Sequence, residues 1–149
     1  MADMTDTRTE IERFKTNAKL FSSLDAAGVG RLADIARKIT YKPNETIVEQ
    51  GAAADTFFII VQGGVRVITD GRDEDKEVAR LGIGGFFGEM GILNDEPRSA
   101  TIRAIGDTRC LVFDKADVLA VFEDYPQILH GLGSIGVERG GKLVDAQEE

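Results

Sequence analysis

The chain has a single histidine, His130, and a single cysteine, Cys110. One cysteine cannot form a disulfide within the chain, and the apolar residues at 111–113 predict a buried strand position for its thiol. A catalytic metal site needs several histidines, and a catalytic triad needs a histidine base beside an activated serine. One histidine cannot build the first, and no serine stands in a nucleophile-elbow context. We therefore expect neither an enzyme nor a bound metal.

Positive charge is also scarce, because 18 lysines and arginines face 26 aspartates and glutamates, for a formal net charge of -8. A nucleic-acid or anionic-membrane surface requires clustered basic residues, so neither partner is expected. No apolar run approaches the roughly 20 residues that cross a bilayer. The first residues lack the basic and apolar pattern of a signal peptide. These absences predict a cytoplasmic protein.

The 149 residues suit a single domain with a proper core. Apolar residues at helical spacing predict N-terminal helices over about residues 8–38. Short β-prone runs with turn signals between them follow over about residues 39–113. The pattern predicts an α+β, mainly β, domain in which an antiparallel jelly roll or barrel is flanked by helices at both ends. The predicted runs are residues 47–48, 57–61, 65–68, 78–81, 100–103 and 110–113.

Two C-terminal helices are expected over about residues 115–143, with Asp114 as the N-cap of the first and Pro126 as the break between them. The second helix contains five glycines between residues 131 and 141. Each glycine costs roughly 1 kcal/mol relative to alanine in a helix interior, so this helix should be only marginally stable. The helical spacing places Ile128, Leu132, Ile135 and Arg139 on one stripe of this helix.

The segment at residues 84–101, GGFFGEMGILNDEPRSAT, interrupts the rhythm of strands and has a composition suited to an anion. Gly88 and Gly91 let the backbone approach a ligand, and a turn of helix near Glu89 would direct N–H groups at negative charge. Arg98 offers a bidentate fork to phosphate oxygens, while Ser99 adds a hydroxyl. A carboxylate would repel phosphate, so Glu89 is expected to face another part of the ligand, such as a ribose hydroxyl.

Other residues near this segment have simpler interpretations. We expect Gly63, Gly82 and Gly84 to be turn formers with positive φ and no ligand contact. Phe86 and Phe87 are expected in the core rather than as a platform for a base. The alternative interpretation of Glu89 and Arg98 is a surface pair on a glycine-rich turn.

The segment resembles the phosphate-binding cassette of the cyclic-nucleotide-binding domain family, through FFGEM at residues 86–90 and EPRSAT at residues 96–101. That family includes regulatory subunits of cyclic-AMP-dependent protein kinase, cyclic-nucleotide-regulated channels and catabolite activator proteins. The likeness is strongest to the cytoplasmic domain of bacterial cyclic-nucleotide-regulated potassium channels. It extends upstream to residues 50–51 and 59–65, and covers about residues 20–141.

The resemblance implies that Glu89 accepts a hydrogen bond from the ribose 2′-hydroxyl and that Arg98 pairs with the exocyclic phosphate oxygens. Ser99 could also reach the amino group of a syn guanine, so both cAMP and cGMP stay open, with a lean toward cAMP. Arg139 is implied on a lid helix over the base, with a solvated helix residue as the alternative. The implied ligand-binding residues are Gly88, Glu89, Met90, Gly91, Arg98, Ser99, Ala100 and Arg139.

Three functions are compatible with this resemblance. The first is a non-catalytic sensor that binds cAMP or cGMP and signals to an unidentified protein effector by moving its C-terminal lid helix. The second is an interaction module with the same fold that no longer binds nucleotide. The third is the regulatory domain of a larger channel-type protein. About eight residues follow Gly141, so we do not expect a DNA-binding helix-turn-helix there.

Overall fold

The computed structural model describes residues 2–69, 74–88 and 97–139, and it places helices before and after a β-roll. Before the roll lie α1 (Ala2–Asn17), a 3-10 turn (Lys19–Phe21) and α2 (Ala26–Ile35). After the roll lie α3 (Lys115–Phe122) and α4 (Pro126–Arg139). Helix α1 begins earlier than the predicted residue 8, because its first turns are polar and lack the apolar period that marks a buried helix.

The roll consists of two four-stranded antiparallel sheets, rather than one closed barrel, within the described residues. The first sheet has the order β1-β8-β3-β6 and the second has the order β2-β7-β4-β5. This arrangement confirms the predicted antiparallel jelly roll with flanking helices. The strands are β1 (Arg37–Tyr41), β2 (Thr46–Val48), β3 (Thr56–Gln62), β4 (Val65–Thr69), β5 (Lys76–Leu81), β6 (Phe86–Phe87), β7 (Thr101–Ala104) and β8 (Thr108–Asp114).

Five of the six predicted β-prone runs lie within strands and the sixth, 100–103, begins one residue before β7, whereas β1 and β6 were not predicted. Strand β1, RKITY, is mostly exposed or half-buried, so its sequence lacks the apolar density of a core strand. The predicted helical region therefore ran too far, to residue 38, although β1 begins at Arg37. Strand β6 has only two residues, which is too short for any alternation to appear.

Two hydrophobic cores lie on opposite faces of the first sheet, because side chains alternate along β3. Phe57 and Ile59 face the helices, while Phe58 and Ile60 face the second sheet. The helical core, between the helices and the first sheet, is centred on Ile11, Phe14, Phe21, Leu24, Leu32, Phe57, Phe86, Phe113, Val118, Phe122 and Ile128. The roll core, between the sheets, contains Phe58, Ile60, Val65, Val67, Phe87, Ile102, Cys110 and Val112.

Phe86 and Phe87 are both buried, as predicted, but each belongs to a different core. The Phe86 ring lies 5.2 Å from the Phe21 ring in the helical core. The Phe87 ring stacks on Phe58 in the roll core, with centroids 4.5 Å apart and planes 10° from parallel. Strand β6 therefore joins the two cores at the residue pair that precedes Gly88.

The glycines of α4 include one with a packing role. A Cβ on Gly131 would overlap the Cδ1 atom of Leu20 in the 3-10 turn, so glycine allows α4 to approach that turn closely. Ile128 and Leu132 of the predicted stripe are fully buried against the same region. Close packing thus offsets part of the intrinsic cost of glycine in a helix. The side chains of Ile135 and Arg139 lie outside the described part of the chain.

The two aspartates that precede helices act differently. Asp25 is the N-cap of α2, and its Oδ1 accepts a hydrogen bond of 2.9 Å from the Gly28 amide. Asp114 occupies the N-cap position of α3, but its side chain makes no capping bond. Its Oδ1 instead accepts a 2.7 Å hydrogen bond from Nη2 of Arg37. The expected side-chain cap at Asp114 was therefore wrong, because a cationic partner on β1 holds the carboxylate.

We expect Tyr125→Phe to destabilise the protein in a pH-dependent manner. The Tyr125 hydroxyl donates a 2.6 Å hydrogen bond to Asp25 Oδ1, and this bond, followed by that from the Gly28 amide, lowers the pKa of Asp25. Because the folded pKa is depressed, the bond stabilises the fold above the unfolded pKa and is lost as pH falls through the folded pKa. Denaturant unfolding should be measured at pH 7 and at successively lower pH. The difference in free energy of unfolding between variant and wild type should become smaller as the pH falls.

Asp25→Asn provides the matched control, because an asparagine cap lacks the titrating charge. In that background, the loss in free energy of unfolding caused by Tyr125→Phe should stay constant over the same pH range. A difference of constant size in the wild-type background would contradict the assignment of Asp25 as the titrating partner.

Candidate functional site

Arg98 is fixed by its backbone to the loop between β2 and β3. Its amide donates a 2.8 Å hydrogen bond to the carbonyl oxygen of Ala52, and its own carbonyl accepts one of 2.8 Å from the Gly51 amide. Gly51 has a positive φ of 88°, within the conformation that favours glycine. This short two-bond ladder sets where the Arg98 side chain leaves the backbone.

The Arg98 side chain turns inward and is only 9% exposed. Its Nη2 donates hydrogen bonds to two oxygens of Thr56, with distances of 2.8 Å to the hydroxyl and 3.1 Å to the carbonyl. The guanidinium carbon lies 5.7 Å from the centroid of the Phe58 ring, within reach of a cation-π contact. The guanidinium thus lies between the first residue of β3 and the rim of the roll core.

The guanidinium of an arginine carries a positive charge in proteins. Burying a charge costs free energy unless hydrogen bonds or an opposite charge compensate for it. The two Thr56 oxygens contribute to that compensation, and an anionic ligand is a further partner that a guanidinium can take. The geometry is therefore suited to binding an anionic group such as phosphate, which Arg recognises through a planar fork of donors.

Gly88 packs against this arginine, with a φ of 90°. A Cβ at Gly88 would lie 2.5 Å from the Thr56 carbonyl oxygen and 2.9 Å from Arg98 Nη1. The Gly88 backbone thus lies close to the arginine and to Thr56, and its predicted approach to a ligand stays a prediction. No side chain fits there without displacing one of them.

Of the three predicted turn glycines, Gly63 and Gly84 have positive φ values of 82° and 88°. Gly82 does not, so that part of the prediction was wrong. The Gly85 amide donates to the Gly82 carbonyl at 2.9 Å, which makes Gly82 the first residue of a β-turn. Among β-turns, the type II turn has a positive φ at its third residue alone, which here is Gly84.

Gly88→Ala should destabilise the fold more than Gly84→Ala, although both glycines have φ near +90°. An L residue in this conformation costs about 1 to 2 kcal/mol at either site. A Cβ at Gly84 meets nothing within 4 Å, whereas one at Gly88 meets Thr56 and Arg98. The overpacking at Gly88 should add about 1 kcal/mol. Equal losses in urea unfolding would contradict the crowding of Gly88 against the arginine.

The structure brings together Arg98 and Gly88 from the predicted set, and it describes two of their neighbours. The Ser99 side chain is exposed, and the Ala100 side chain is buried in the roll core, so Ala100 can offer a ligand only its backbone. Arg139 is the last residue of α4, and its side chain lies outside the described residues. The predicted helical turn near Glu89 also lies outside them, as do Glu89, Met90 and Gly91.

Thr56, which accepts hydrogen bonds from Arg98, is a residue of the candidate site that the sequence did not predict. It begins β3, where it pairs with Asp114 of β8, and Arg98 is 42 positions away along the chain. The available signal was its place at the start of the strongest β-prone run, after the Gln50-Gly51 turn. That signal indicates where a strand begins, but it does not indicate which side chain contacts Thr56.

Two buried titratable side chains among the described residues have raised pKa values. Burial raises the pKa of the Cys110 thiol to about 12, which makes it inert at neutral pH and agrees with the predicted strand position. Burial likewise raises the pKa of Tyr41 to about 12. Among the residues that the structure describes, no three His, Cys, Asp or Glu side chains are grouped to hold a metal. Within the same residues, no helix is both long and apolar enough to cross a membrane.

The family model for the cyclic nucleotide-binding domain matches residues 38–125, which is more than half of the chain. The matched region contains the roll, Gly88, Arg98 and α3. The chain therefore belongs to the cyclic nucleotide-binding domain family, whose members are binding and regulatory domains rather than catalysts.

Two curated relatives agree with this membership. "Putative potassium channel protein RPA4233" of Rhodopseudomonas palustris is 32% identical over 128 residues, which are 86% of this chain and 31% of the relative. A cAMP-dependent protein kinase regulatory subunit of Mycosarcoma maydis is 35% identical over 101 residues, or 68% of this chain and 19% of the relative. The chain thus spans less than a third of the length of either protein.

A solved structure supports the same fold. The catabolite activator protein of Thermus thermophilus matches with a TM-score of 0.72 and 28% identity. The match covers 80% of this chain and 57% of that one. The similarity to channel, kinase-regulatory and activator proteins confirms the resemblance found in the cassette sequence.

Proposed function

We propose that this chain is a non-catalytic sensor that binds a cyclic nucleotide, with Arg98 at the cyclic phosphate. The observation that supports this most is the buried guanidinium of Arg98, anchored on Thr56 and packed against Gly88. A fixed, largely desolvated guanidinium is suited to a small anion such as the cyclic phosphate. In this proposal Glu89 accepts from the ribose hydroxyl, and backbone amides near Gly91 and Ala100 complete the phosphate site.

The remaining contacts are proposed on the basis of the cassette sequence. Met90 lies within the same ligand-binding segment. The Ser99 side chain is exposed, and in this proposal it contacts a guanine amino group and so distinguishes cGMP from cAMP. Arg139 caps the base from the lid helix. The Mycosarcoma maydis relative is a cAMP-dependent kinase subunit and a Drosophila melanogaster relative is a cGMP-dependent protein kinase, so the relatives do not choose between the two nucleotides.

We propose that ligand binding reaches the helices through β6. Phe86 is two residues from Gly88, and its ring lies 6.1 Å from that of Phe14 and 5.2 Å from that of Phe21. Phe21 in turn contacts Phe122 of α3, with ring centroids 5.7 Å apart. A shift of the cassette would therefore move side chains that contact helices at both ends of the chain. In this proposal the resulting movement of α4 is recognised by a protein effector in the cytoplasm.

Titration calorimetry of the whole chain with cAMP, cGMP and linear 5′-AMP tests the binding step. We expect a one-to-one event with at least one cyclic nucleotide and a much weaker event with 5′-AMP, whose phosphate carries an additional charge. Absence of heat, together with absence of a thermal shift, for both cyclic nucleotides would refute the sensor. That outcome would favour an interaction module that keeps the fold without the ligand.

Amide hydrogen exchange with and without the bound cyclic nucleotide tests the signalling step. Protection of residues 126–139 on binding is expected if α4 acts as the lid. Binding without any change in the exchange of α4 would refute the lid while leaving the sensor intact.

A further inference from the structure

We propose that Thr56 is a positioning residue that orients the Arg98 guanidinium for the cyclic phosphate and thereby sets affinity and selectivity at that group. This inference rests on the proposed function, because it concerns how the same site recognises its ligand. Thr56 lies outside the cassette segment at residues 84–101, on a different strand.

The two Thr56 oxygens hold one nitrogen of a planar group. Nη2 of Arg98 carries two hydrogens, and its contacts at 2.8 Å and 3.1 Å are to the hydroxyl and carbonyl oxygens of the same residue. The Phe58 ring, 5.7 Å from the guanidinium carbon, packs against the group as well. With one nitrogen anchored and the group packed against a ring, the direction of the guanidinium plane is set before any ligand arrives.

Thr56 can serve as an anchor because its own backbone is fixed. It pairs with Asp114 in the ladder between β3 and β8. The backbone carbonyl oxygen of the preceding residue, Asp55, accepts a 2.9 Å hydrogen bond from the Lys115 amide at the start of α3. Gly88 packs against the Thr56 carbonyl on another side. The branched threonine side chain then has few rotamers, so its hydroxyl position follows from the backbone.

The hydroxyl is the part of this anchor that a substitution can remove. Valine has the same shape as threonine but no acceptor, and the Thr56 carbonyl is present in every variant. Thr56→Val should therefore keep the strand and the arginine while it removes the shorter of the two hydrogen bonds. Loss of a hydrogen bond to a charged donor, partly offset by the remaining carbonyl, should weaken cyclic nucleotide binding by about 5- to 20-fold.

The test is calorimetry of the full chain with the tighter-binding cyclic nucleotide for wild type, Thr56→Val, Thr56→Ser and Thr40→Val. Serine restores the hydroxyl, so Thr56→Ser should return the affinity to within about threefold of wild type. Thr40 is an exposed threonine of β1 in the same sheet and serves as the matched control, with affinity unchanged. If Thr56→Val does not fold, Thr56→Ala against Thr56→Ser makes the same comparison.

A second measurement separates orientation from general damage to the fold. The two phosphorothioate diastereomers of the cyclic nucleotide each replace one exocyclic oxygen with sulfur, so the ratio of their affinities reports how the guanidinium faces the phosphate. We expect Thr56→Val to change this ratio and Thr56→Ser to restore it. An unchanged ratio, or equal losses for Thr56→Val and Thr56→Ser, would overturn the proposal.

The outcomes distinguish this inference from the proposed function. If wild type binds neither cAMP nor cGMP, the sensor itself is refuted, and this inference falls with it. If wild type binds and Thr56→Val binds equally well, the sensor stands and only the role of Thr56 is overturned.

Discussion

Arg98→Ala is expected to weaken cyclic nucleotide binding by roughly 2 to 5 kcal/mol, the usual loss when one partner of a buried charge pair is removed. The cause is the position of the guanidinium, which is only 9% exposed and is anchored by Thr56. Without it, the phosphate would lose the charged, planar donor group that Arg98 supplies in this proposal. Calorimetry with cAMP and cGMP would measure the loss.

Two further variants sharpen this result. Arg98→Lys keeps the charge but loses the planar fork, so it should recover only part of the affinity. Arg80→Ala removes an arginine from the surface of the roll, where its side chain is 63% exposed and paired with Glu77. That control should bind like wild type. If Arg98→Ala binds within about threefold of wild type, Arg98 does not contact the phosphate, although the family membership would be unaffected.

The sequence predicts Arg98 and Gly88 as candidate site residues because their chemistry is local. A glycine-rich segment followed by an arginine and a serine indicates an anion site without knowledge of the fold. Thr56 could not be found in the same way, because its role depends on β3 reaching the cassette from 42 residues away. Nothing in the composition around Thr56 indicates an arginine partner. Residues that act by positioning another side chain can be identified only from the tertiary structure.

The fold was predictable wherever a strand carried its own apolar signal and turn boundaries. Strand β1 lacks that signal because it is partly exposed, and β6 is too short to show any pattern. The run Phe57–Val61 has a strong signal but conceals its alternation, since both faces of β3 are covered by apolar cores. Periodicity alone therefore could not assign Phe57 to the helical core and Phe58 to the roll core.

The capping error has a similar origin. Asp25 and Asp114 both precede helices, and the local sequence gives no reason to treat them differently. Only the position of Arg37 on β1, 2.7 Å from the Asp114 carboxylate, explains why one aspartate caps its helix and the other does not. A charged partner from a distant strand competes with local capping.

Phe21→Ala should lower the free energy of unfolding by about 3 to 5 kcal/mol, the range for large-to-small changes at a buried aromatic residue. Phe21 is fully buried in the 3-10 turn, and four aromatic rings surround it. Those rings belong to α1, β3, β6 and α3, so the cavity would open where four elements meet. Their centroid distances are 4.9 Å to Phe14, 6.1 Å to Phe57, 5.2 Å to Phe86 and 5.7 Å to Phe122.

Urea unfolding of Phe21→Ala, Phe21→Leu and Val78→Ala would measure this effect. Leucine fills more of the cavity, so its loss should be clearly smaller than that of alanine. Val78 is 41% exposed on β5, and its truncation should change stability by less than about 0.5 kcal/mol. A loss below about 1 kcal/mol for Phe21→Ala would mean that the helices contribute little to the fold. A large loss, carried by a single transition that coincides for different probes, is the result expected if the terminal helices and the roll unfold as one unit.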